Sequence, residues 1–361
     1  PKFVMQLLAG IFFHFTGGIA SGSFYVPYKK VHGWAWESLW IIGGLFSWLI
    51  VPPIAAWLTI PGFADIIRQA NAATIGYTFL FGVLWGIGGL TYGLGVRYLG
   101  VGLGSSVMLG LTMVFGSLIP SFYYQIYPTL GKESFEVYLN SRWGLIMLGG
   151  LAICVLGIFF CGKAAVQKER ELSKAEKELD GAEYNFTLGL TVAIVAGILS
   201  ACFNFGIEAG KPMASVANEI WKAENGNRGE FLFQNNVTYI VLLWGGLATN
   251  FIWCLILNLK NKTYKDYSNK SVPLKTNYLL CAIAGTTWYL QFFFYGMGES
   301  KMGNGASSWI LHMAFIILIA NLWGVILNEW KGVGRKTYLT IISGISLIIV
   351  AVMIVGFAKN L

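Results

Sequence analysis

Three ionisable side chains lie inside or at the end of apolar stretches, where charge is costly and is usually retained for function. His14 lies near the middle of the first stretch, and His312 lies about two turns into the ninth. Histidine titrates near physiological pH, so both are candidates for proton coupling; the alternative is a neutral histidine hydrogen-bonded to a neighbouring helix. Glu208 is a second proton site, a gate paired with Lys211, or an ordinary ion pair at a helix end.

A second group of residues has the spacing of one helical face. The eighth apolar stretch carries Trp288, Gln291, Phe292 and Tyr295 at i, i+3, i+4 and i+7. A rigid aromatic wall with one amide suits a sugar, because the C–H face of the sugar packs on the indole while its hydroxyls bond to the amide and the phenol. The alternative is an aromatic stripe that only packs against another helix.

Four further residues complete the candidate sugar site. Trp85 and Tyr92 repeat the aromatic positions of the wall earlier in the chain, without its amide. Trp309 lies one turn before the second histidine, which favours the transport pathway over the lipid, although tryptophan is also a common membrane-interface anchor. Asn204 lies one turn before the glutamate.

The sequence carries no recognisable catalytic or metal-binding motif. It contains no HExxH, GxSxG or CxxC motif and no Gly-rich phosphate loop ending in Lys-Ser or Lys-Thr. The five cysteines lie within or beside apolar stretches without pairing or metal spacing, which predicts buried thiols. We therefore predict a protein that is not an enzyme and has no metal and no cofactor. The net charge of +8 is not gathered in a compact basic domain, so nucleic acid is not expected as a partner.

Composition indicates that transmembrane helices must position these residues. Of the 361 residues, 56% are hydrophobic and only 12% are charged, whereas about 25% is usual for a soluble globule. Ten apolar runs have roughly the length that crosses a bilayer. They cover about 4–26, 38–59, 75–97, 101–125, 142–162, 186–208, 233–258, 277–298, 305–328 and 337–358. The predicted fold class is an all-α polytopic membrane protein with ten transmembrane helices.

Two segments of the chain match each other without a gap. At a constant offset, Gly82, Trp85, Tyr92, Gly93, Gly95, Gly100, Gly102 and Ser105 recur as Gly285, Trp288, Tyr295, Gly296, Gly298, Gly303, Gly305 and Ser308. In the first and sixth runs, Gly10, Gly18, Ile19, Ser21 and Phe24 recur as Gly189, Gly197, Ile198, Ser200 and Phe203. Chance is the alternative for that second match. Because each half holds five spans, the halves cross the membrane in opposite senses, as inverted repeats do.

One strongly charged segment divides the chain. We predict a first five-helix repeat over 1–162, a linker helix over 163–185 and a second five-helix repeat over 186–361. Most lysines and arginines lie in the linker and in the connections after odd-numbered runs, which predicts a cytoplasmic linker and both termini outside. The opposite orientation is the alternative. Glu37 and Glu299 lie at membrane boundaries, where solvated or paired charge is expected.

Five stretches spread over nearly the whole chain carry a family resemblance. They are FHFTGGIASGSFYVPYKKVHGWAWESLW from Phe13, FLFGVLWGIGGLTYGLGVRYLG from Phe79, WYLQFFFYGMG from Trp288, SWILHM from Ser308 and NEWKGVGRK from Asn328. They resemble the L-rhamnose-proton symporters of bacterial inner membranes, in the drug/metabolite transporter superfamily. The resemblance implies a ten-span carrier of two inverted repeats, with both ends in the periplasm, that moves rhamnose inward with protons. The short segment from Gly303 to Ser308 and the presence of Glu208 depart from the family pattern.

The leading hypothesis is proton-coupled uptake of L-rhamnose or a close deoxy-sugar by alternating access. An apolar wall favours a methyl group where an ordinary hexose has a hydroxymethyl, because an unpaired hydroxyl there loses hydrogen bonds. One alternative is the same fold exporting or carrying another metabolite, and another is a membrane sensor or assembly scaffold. The candidate residues within the resembling stretches are His14, Trp85, Trp288, Gln291, Trp309 and His312.

Overall fold

The computed structural model describes residues 2–99, 101–172, 186–226, 228–326, 328 and 330–360. All of the regular structure in these residues is helical. The all-α part of the predicted fold class is therefore confirmed. Gly100, one of the repeat positions, and residues 173–185 of the predicted linker lie outside the described residues.

The helices follow the apolar runs closely. Their bounds are α1 Lys2–Ser23, α2 Tyr25–Tyr28, α3 Trp36–Gly44, a π-helical segment Leu45–Ile50, α4 Val51–Thr59, α5 Phe63–Gln69, α6 Ala72–Leu99, α7 Val101–Ile126, α8 Phe135–Asn140, α9 Arg142–Leu172, α10 Phe186–Ala209, α11 Lys211–Asn225, α12 Asn236–Asn261, a 3₁₀ helix Thr263–Ser268, α13 Leu274–Met302, α14 Gly305–Ile326, α15 Arg335–Phe357 and a 3₁₀ helix Ala358–Asn360. The helix predicted to end at residue 162 continues to Leu172, so the first part of the predicted linker extends α9.

Nine helical segments within the described residues are long and apolar enough to cross a membrane. A helix also covers the one remaining predicted run, the eighth: α13 has 29 residues, but it is not one of those nine segments. Its polar residues explain the difference, since Asn277, Gln291 and Glu299 are all buried against protein. A helix surrounded by other helices carries polar side chains that a lipid-facing helix does not tolerate.

Helix packing occurs in corresponding pairs. α1 packs along α13 and α14, and α10 packs along α6 and α7. α9 packs against α7 and α15, while α15 packs against α14 and α9. α7 and α14 meet each other. When the chain is divided after α9, the contacts of α1 with α13 and α14 correspond to those of α10 with α6 and α7, and α7–α9 corresponds to α14–α15. The contacts α7–α14 and α9–α15 each join two helices in equivalent positions.

Two matching glycines mark equivalent close approaches between helices. A Cβ on Gly82 of α6 would overlap the carbonyl oxygen of Leu242 on α12, and a Cβ on Gly285 of α13 would overlap that of Gly43 on α3. Only glycine allows backbones to come so near. These shared positions therefore act as scaffold for packing.

The long helices alternate in direction, so the bundle has two ends. We call the end where α1 begins and α15 finishes the terminal end; the connections α4–α6, α7–α9, α10–α12 and α13–α14 lie there. The connections α1–α3, α12–α13 and α14–α15 lie at the opposite end. The two ends differ in structure, and the candidate site lies between the bundle centre and the terminal end.

Candidate substrate and coupling site

The structure brings both candidate histidines to one tyrosine. The Tyr295 ring on α13 lies 5.3 Å from His14 on α1 and 5.1 Å from His312 on α14, between ring centroids. The Trp309 ring lies 6.1 Å from the same tyrosine. All four side chains are buried. Three helices thus contribute to one cluster, which we call the histidine cluster.

Two glycines provide the space for this cluster. His14 packs over Gly298, where a Cβ would lie 2.7 Å from the imidazole Nε2. Trp309 packs over Gly116 on α7, where a Cβ would overlap the indole nitrogen. That nitrogen donates a 3.1 Å hydrogen bond to the carbonyl oxygen of Thr112. The indole is therefore held in place by α7.

Several polar atoms in and beside the histidine cluster have no hydrogen-bond partner among the described residues. They are both nitrogens of His14, Nδ1 of His312, the Tyr295 hydroxyl, Oγ of Ser308 and Oδ1 of Asn204. Buried polar groups are nearly always paired in folded proteins, so an unpaired group points to function or to a bound species. The cluster retains acceptors and hydroxyls that are able to bind a proton or a ligand.

The predicted aromatic wall is present but covered. Trp288 lies 5.5 Å from Trp85 and 5.7 Å from Trp48, and Phe292 stacks on Phe203 at 3.9 Å. Gln291 lies on the same helix and is buried. The aromatic stripe thus packs against other helices in this conformation. The sequence reasoning missed both Trp48 and Phe203 as parts of this contact.

A local departure from α-helical geometry positions Trp48. It lies in the π-helical segment Leu45–Ile50, which ends two residues before Pro52 and Pro53. Proline has no N–H to donate, so the turn before it loses backbone hydrogen bonds and readily widens. The proline pair is the feature of the sequence from which this segment could have been predicted.

Tyr92 lies outside the histidine cluster. Its hydroxyl donates a 2.6 Å hydrogen bond to Ser105. Its ring packs on a separate small core that includes Met108, Ala193 and Ala196. The structure therefore does not join Tyr92 to the other sugar-site candidates.

A cavity of about 260 Å³ lies above the histidine cluster at the terminal end. Its lining includes Ser117, Tyr124, Lys132, Asn204, Glu208, Lys211, Glu230, Glu299 and Gly305. Of the residues predicted for the site, Asn204 and Glu208 line it. Asn204 lies at the boundary between cavity and cluster, because its amide nitrogen donates to the carbonyl oxygen of Gly116 at 2.7 Å.

Ion pairs in the cavity differ from the expected ones. Glu208 accepts hydrogen bonds from Lys132 at 2.6 Å and from Tyr124 at 2.8 Å. Lys211, the expected partner of Glu208, instead donates to Glu299 at 2.6 Å. Glu299 is therefore a buried, paired carboxylate of the cavity. The sequence reasoning placed it at a membrane boundary and did not assign it to the site.

Comparison with known proteins identifies the family. A family model described as L-rhamnose-proton symport protein matches residues 4–360. The L-rhamnose-proton symporter of Yersinia pestis (strain Pestoides F) is 35% identical over 355 residues, covering 97% of each chain. The protein of the same name from Enterobacter sp. (strain 638) is 35% identical over 352 residues, covering 96% of each chain.

The chain belongs to the L-rhamnose-proton symport family. The resemblance inferred from the five stretches is thereby confirmed. The family is one of symporters, which agrees with the prediction that the chain is not an enzyme. All five cysteines of this family member are buried and free, as expected. Within the described residues, no group of three or more His, Cys, Asp or Glu side chains is arranged to hold a metal ion.

The connection between α7 and α8 crosses the cavity mouth in this family member. Glu133 accepts from Asn304 at 2.5 Å and from Lys359 at 3.4 Å. These contacts tie the connection to α13–α14 and to the end of the chain. Burial, together with the nearby Glu133 carboxylate, raises the pKa of Tyr138 on α8. Tyr138 therefore remains a neutral hydrogen-bonding group in the cavity wall.

At the opposite end, two carboxylates accept hydrogen bonds that join α3 to α12 and to the 3₁₀ helix Thr263–Ser268. Glu37 accepts from Asn261 at 3.0 Å and from Thr263 at 2.8 Å. Asp266 accepts from the Ser38 hydroxyl at 2.7 Å, and it also accepts from a backbone N–H of the α1–α3 connection. No cation pairs with either carboxylate in the described part of the chain. Glu37 is buried, and its hydrogen-bond donors are neutral side chains. The expectation that it is solvated or ion-paired is therefore wrong.

Proposed function

We propose that this chain takes up L-rhamnose or a closely related deoxy-sugar together with protons, by alternating access in a bacterial inner membrane. Family membership and bacterial relatives named L-rhamnose-proton symporters support this function. Protons are the coupling ion and no cofactor takes part. The observation that carries the proposal is the histidine cluster, a set of unpaired buried polar groups directly below a cavity that is polar and charged.

The proposed architecture is ten transmembrane helices in two inverted five-helix repeats. The first repeat covers 1–162, a cytoplasmic linker 163–185 and the second repeat 186–361, with both termini in the periplasm. The corresponding packing of α1 on α13 and α10 on α6 supports the repeat. Lys-rich connections at the opposite end support the orientation. The cavity then faces the periplasm, and the opposite end faces the cytoplasm.

The proposed coupling residues are His14 and His312, with Tyr295 between them. Their unpaired nitrogens are free to bind a proton, and a charged imidazole changes the relative stability of conformations that expose or bury it. Glu208 is a further candidate for the coupling proton. Binding of sugar and proton together then favours the conformation that opens towards the cytoplasm, which is how a shared site couples two gradients.

The proposed sugar-site residues fall into two groups. Asn204 already lines the cavity. Trp85, Trp288, Gln291, Tyr295 and Trp309 form or adjoin the covered aromatic wall, which becomes available to the sugar only when the aromatic contacts separate. Tyr92 belongs to neither group and has the weakest support, because its hydroxyl is bonded to Ser105 in a separate core.

Uptake by the purified full chain in proteoliposomes tests this function. We expect labelled L-rhamnose to accumulate above equilibrium when the outside is more acidic, and only to equilibrate when a protonophore removes the gradient. Liposomes without protein and a non-sugar solute serve as controls. Accumulation of another solute would assign the fold to a different cargo, proton-driven efflux would make it an exporter, and no transport at all would favour a sensor or scaffold.

A further inference from the structure

We propose that the charged cavity binds neighbouring hydroxyl groups of a neutral sugar between the Oε1 atoms of Glu208 and Glu299. Sequence features pointed to the aromatic wall, whereas this site lies nearer the terminal end and uses carboxylates from α10 and α13. The inference rests on the proposed sugar transport and names the groups that recognise the sugar when the cavity is open.

Each of these carboxylates has one oxygen occupied and one free. Oε2 of Glu208 accepts from Lys132 and Tyr124. Oε2 of Glu299 accepts from Lys211 at 2.6 Å and from Asn235 at 2.5 Å. Within the described ranges, no hydrogen bond is made to Oε1 of either residue. A carboxylate accepts several hydrogen bonds, so each retains capacity for a ligand hydroxyl.

The two free oxygens converge on one point. A Cβ on Gly305, the first residue of α14, would lie 3.0 Å from Oε1 of Glu208 and 3.5 Å from Oε1 of Glu299. The two oxygens are therefore at most about 6.5 Å apart, the sum of those distances. A hydroxyl oxygen sits about 2.7 Å from its acceptor. Two hydroxyls on one sugar ring are thus able to bond to both carboxylates at once, in the space that glycine leaves open.

Asn204 lines the same cavity and holds a third unpaired acceptor, which is buried in the cavity wall. Its side chain is 2% exposed, its amide nitrogen is bonded to α7, and its Oδ1 has no partner in the described chain. Two acceptors without donors, Oε1 of Glu208 and Oε1 of Glu299, therefore face the cavity, and a third lies buried in its wall. A molecule rich in hydroxyl donors satisfies both carboxylates, which matches a monosaccharide better than an apolar metabolite.

Charge balance indicates that the ligand is neutral. The carboxylates of Glu208 and Glu299 are each neutralised by a lysine 2.6 Å away. The other acidic residues in the lining, Glu133 and Glu230, also have lysine partners. A cationic or anionic ligand would leave one charge unbalanced in a poorly solvated site, which is costly. A neutral polyhydroxy compound avoids this cost.

Equilibrium binding of L-rhamnose to the purified full chain, measured by titration calorimetry, tests the site. Glu208→Gln and Glu299→Gln each replace a charged acceptor with an amide of nearly the same shape. We expect each variant to weaken binding about tenfold or more, because hydrogen bonds to charged groups are among the stronger ones.

Glu230→Gln is the matched control. Glu230 lines the same cavity, but its two oxygens are already bonded to Asn218 and Lys222. Its substitution should therefore change the affinity by less than about twofold. Equal weakening by all three Gln substitutions would indicate a general loss of negative charge and would overturn the proposed recognition.

A second variant keeps the test decisive if a Gln substitution prevents folding. Gly305→Ala places a methyl group where the ligand hydroxyls would lie and leaves every charge in place. We expect it to abolish measurable binding, whereas Gly149→Ala, which meets open space on α9, should have no effect. Unchanged affinity in Gly305→Ala would overturn the proposal.

The failure of this inference is distinguishable from failure of the proposed function. If the wild-type chain transports L-rhamnose but all cavity variants bind it normally, the function stands and the site is wrong. If the wild-type chain neither binds nor transports L-rhamnose, the same variants are titrated with a panel of neutral monosaccharides. Binding of one of them that depends on Glu208 and Glu299 would retain the site, and binding of none would overturn it.

Discussion

The two matching segments contain the same tyrosine–serine pair in different states. In the first segment, the Tyr92 hydroxyl bonds to Ser105 at 2.6 Å. In the second, the hydroxyls of Tyr295 and Ser308 are both buried and have no partner among the described residues. Because the residue types are the same, local sequence does not account for the difference. It follows from what packs around each pair.

The surroundings differ at the positions that contact each pair. Gly298 faces His14, whereas the matching Gly95 faces two apolar residues: an added Cβ would lie 3.0 Å from Sδ of Met108 and 3.6 Å from Cα of Ala193. Leu109 stands at the position that corresponds to His312. The first segment is thus a satisfied packing unit, and the second combines unpaired hydroxyls with two imidazoles. The two segments thus share glycine, tyrosine and serine positions, and only the second has histidines packed beside them.

Replacing the histidines should have the largest effect on this difference. We expect His14→Gln and His312→Gln, made singly, to abolish pH-dependent accumulation of L-rhamnose while sparing sugar exchange. Glutamine fills similar space and forms hydrogen bonds, but it does not bind a proton at physiological pH. Accumulation and counterflow in the same proteoliposomes measure the two activities.

His32→Gln is the control for the histidine variants. His32 lies in the connection at the opposite end, and its backbone, rather than its ring, bonds to Asn277. Accumulation should therefore remain at the wild-type level. Normal pH-dependent accumulation in both cluster variants would return His14 and His312 to a structural role.

Removing the tyrosine hydroxyls should have a smaller effect on proton-driven accumulation, and only in the second segment. We expect Tyr295→Phe to reduce proton-driven accumulation about tenfold, because the hydroxyl is unpaired in this structure and is an acceptor available to an imidazole once it is protonated. Tyr92→Phe should leave accumulation unchanged, because its hydroxyl only bonds to a serine. Initial uptake rates at several external pH values give the measurement. An equal loss in both variants would mean that the two segments contribute alike.

Local patterns in the sequence predicted most of the fold. Apolar length located a helix at every predicted run, and the i, i+3, i+4, i+7 spacing placed Trp288 and Tyr295 on the buried face of α13. The glycine and aromatic residues that recur between the segments beginning at Gly82 and Gly285 identified the shared scaffold positions. These features depend on neighbours in sequence, so a single chain is enough to reveal them. The short helices α5 and α11 at the terminal end carried no comparable signal.

Ion pairs between residues that are distant in sequence could not be predicted from the sequence. Lys132 reaches Glu208 over 76 residues, and Lys211 passes over its near neighbour to bond with Glu299, 88 residues away. Pairings of this kind depend on how helices and connections meet at the terminal end. The covering of the aromatic wall by Trp48 and Phe203 likewise depends on tertiary packing. Residue types therefore identified candidates for the site, and the fold determined which of them meet.

The serine of each pair should have the smallest effect, and its sign should differ between segments. Ser105→Ala leaves the Tyr92 hydroxyl without its partner, so we expect a loss of about 1 kcal/mol in the free energy of unfolding. Ser308→Ala removes a buried hydroxyl that has no partner, so stability should stay the same or rise slightly. Thermal unfolding in one detergent shows the contrast as a lower midpoint for the first variant alone. A lower midpoint for Ser308→Ala would mean that its hydroxyl is paired in the resting protein, and the two segments would then be alike.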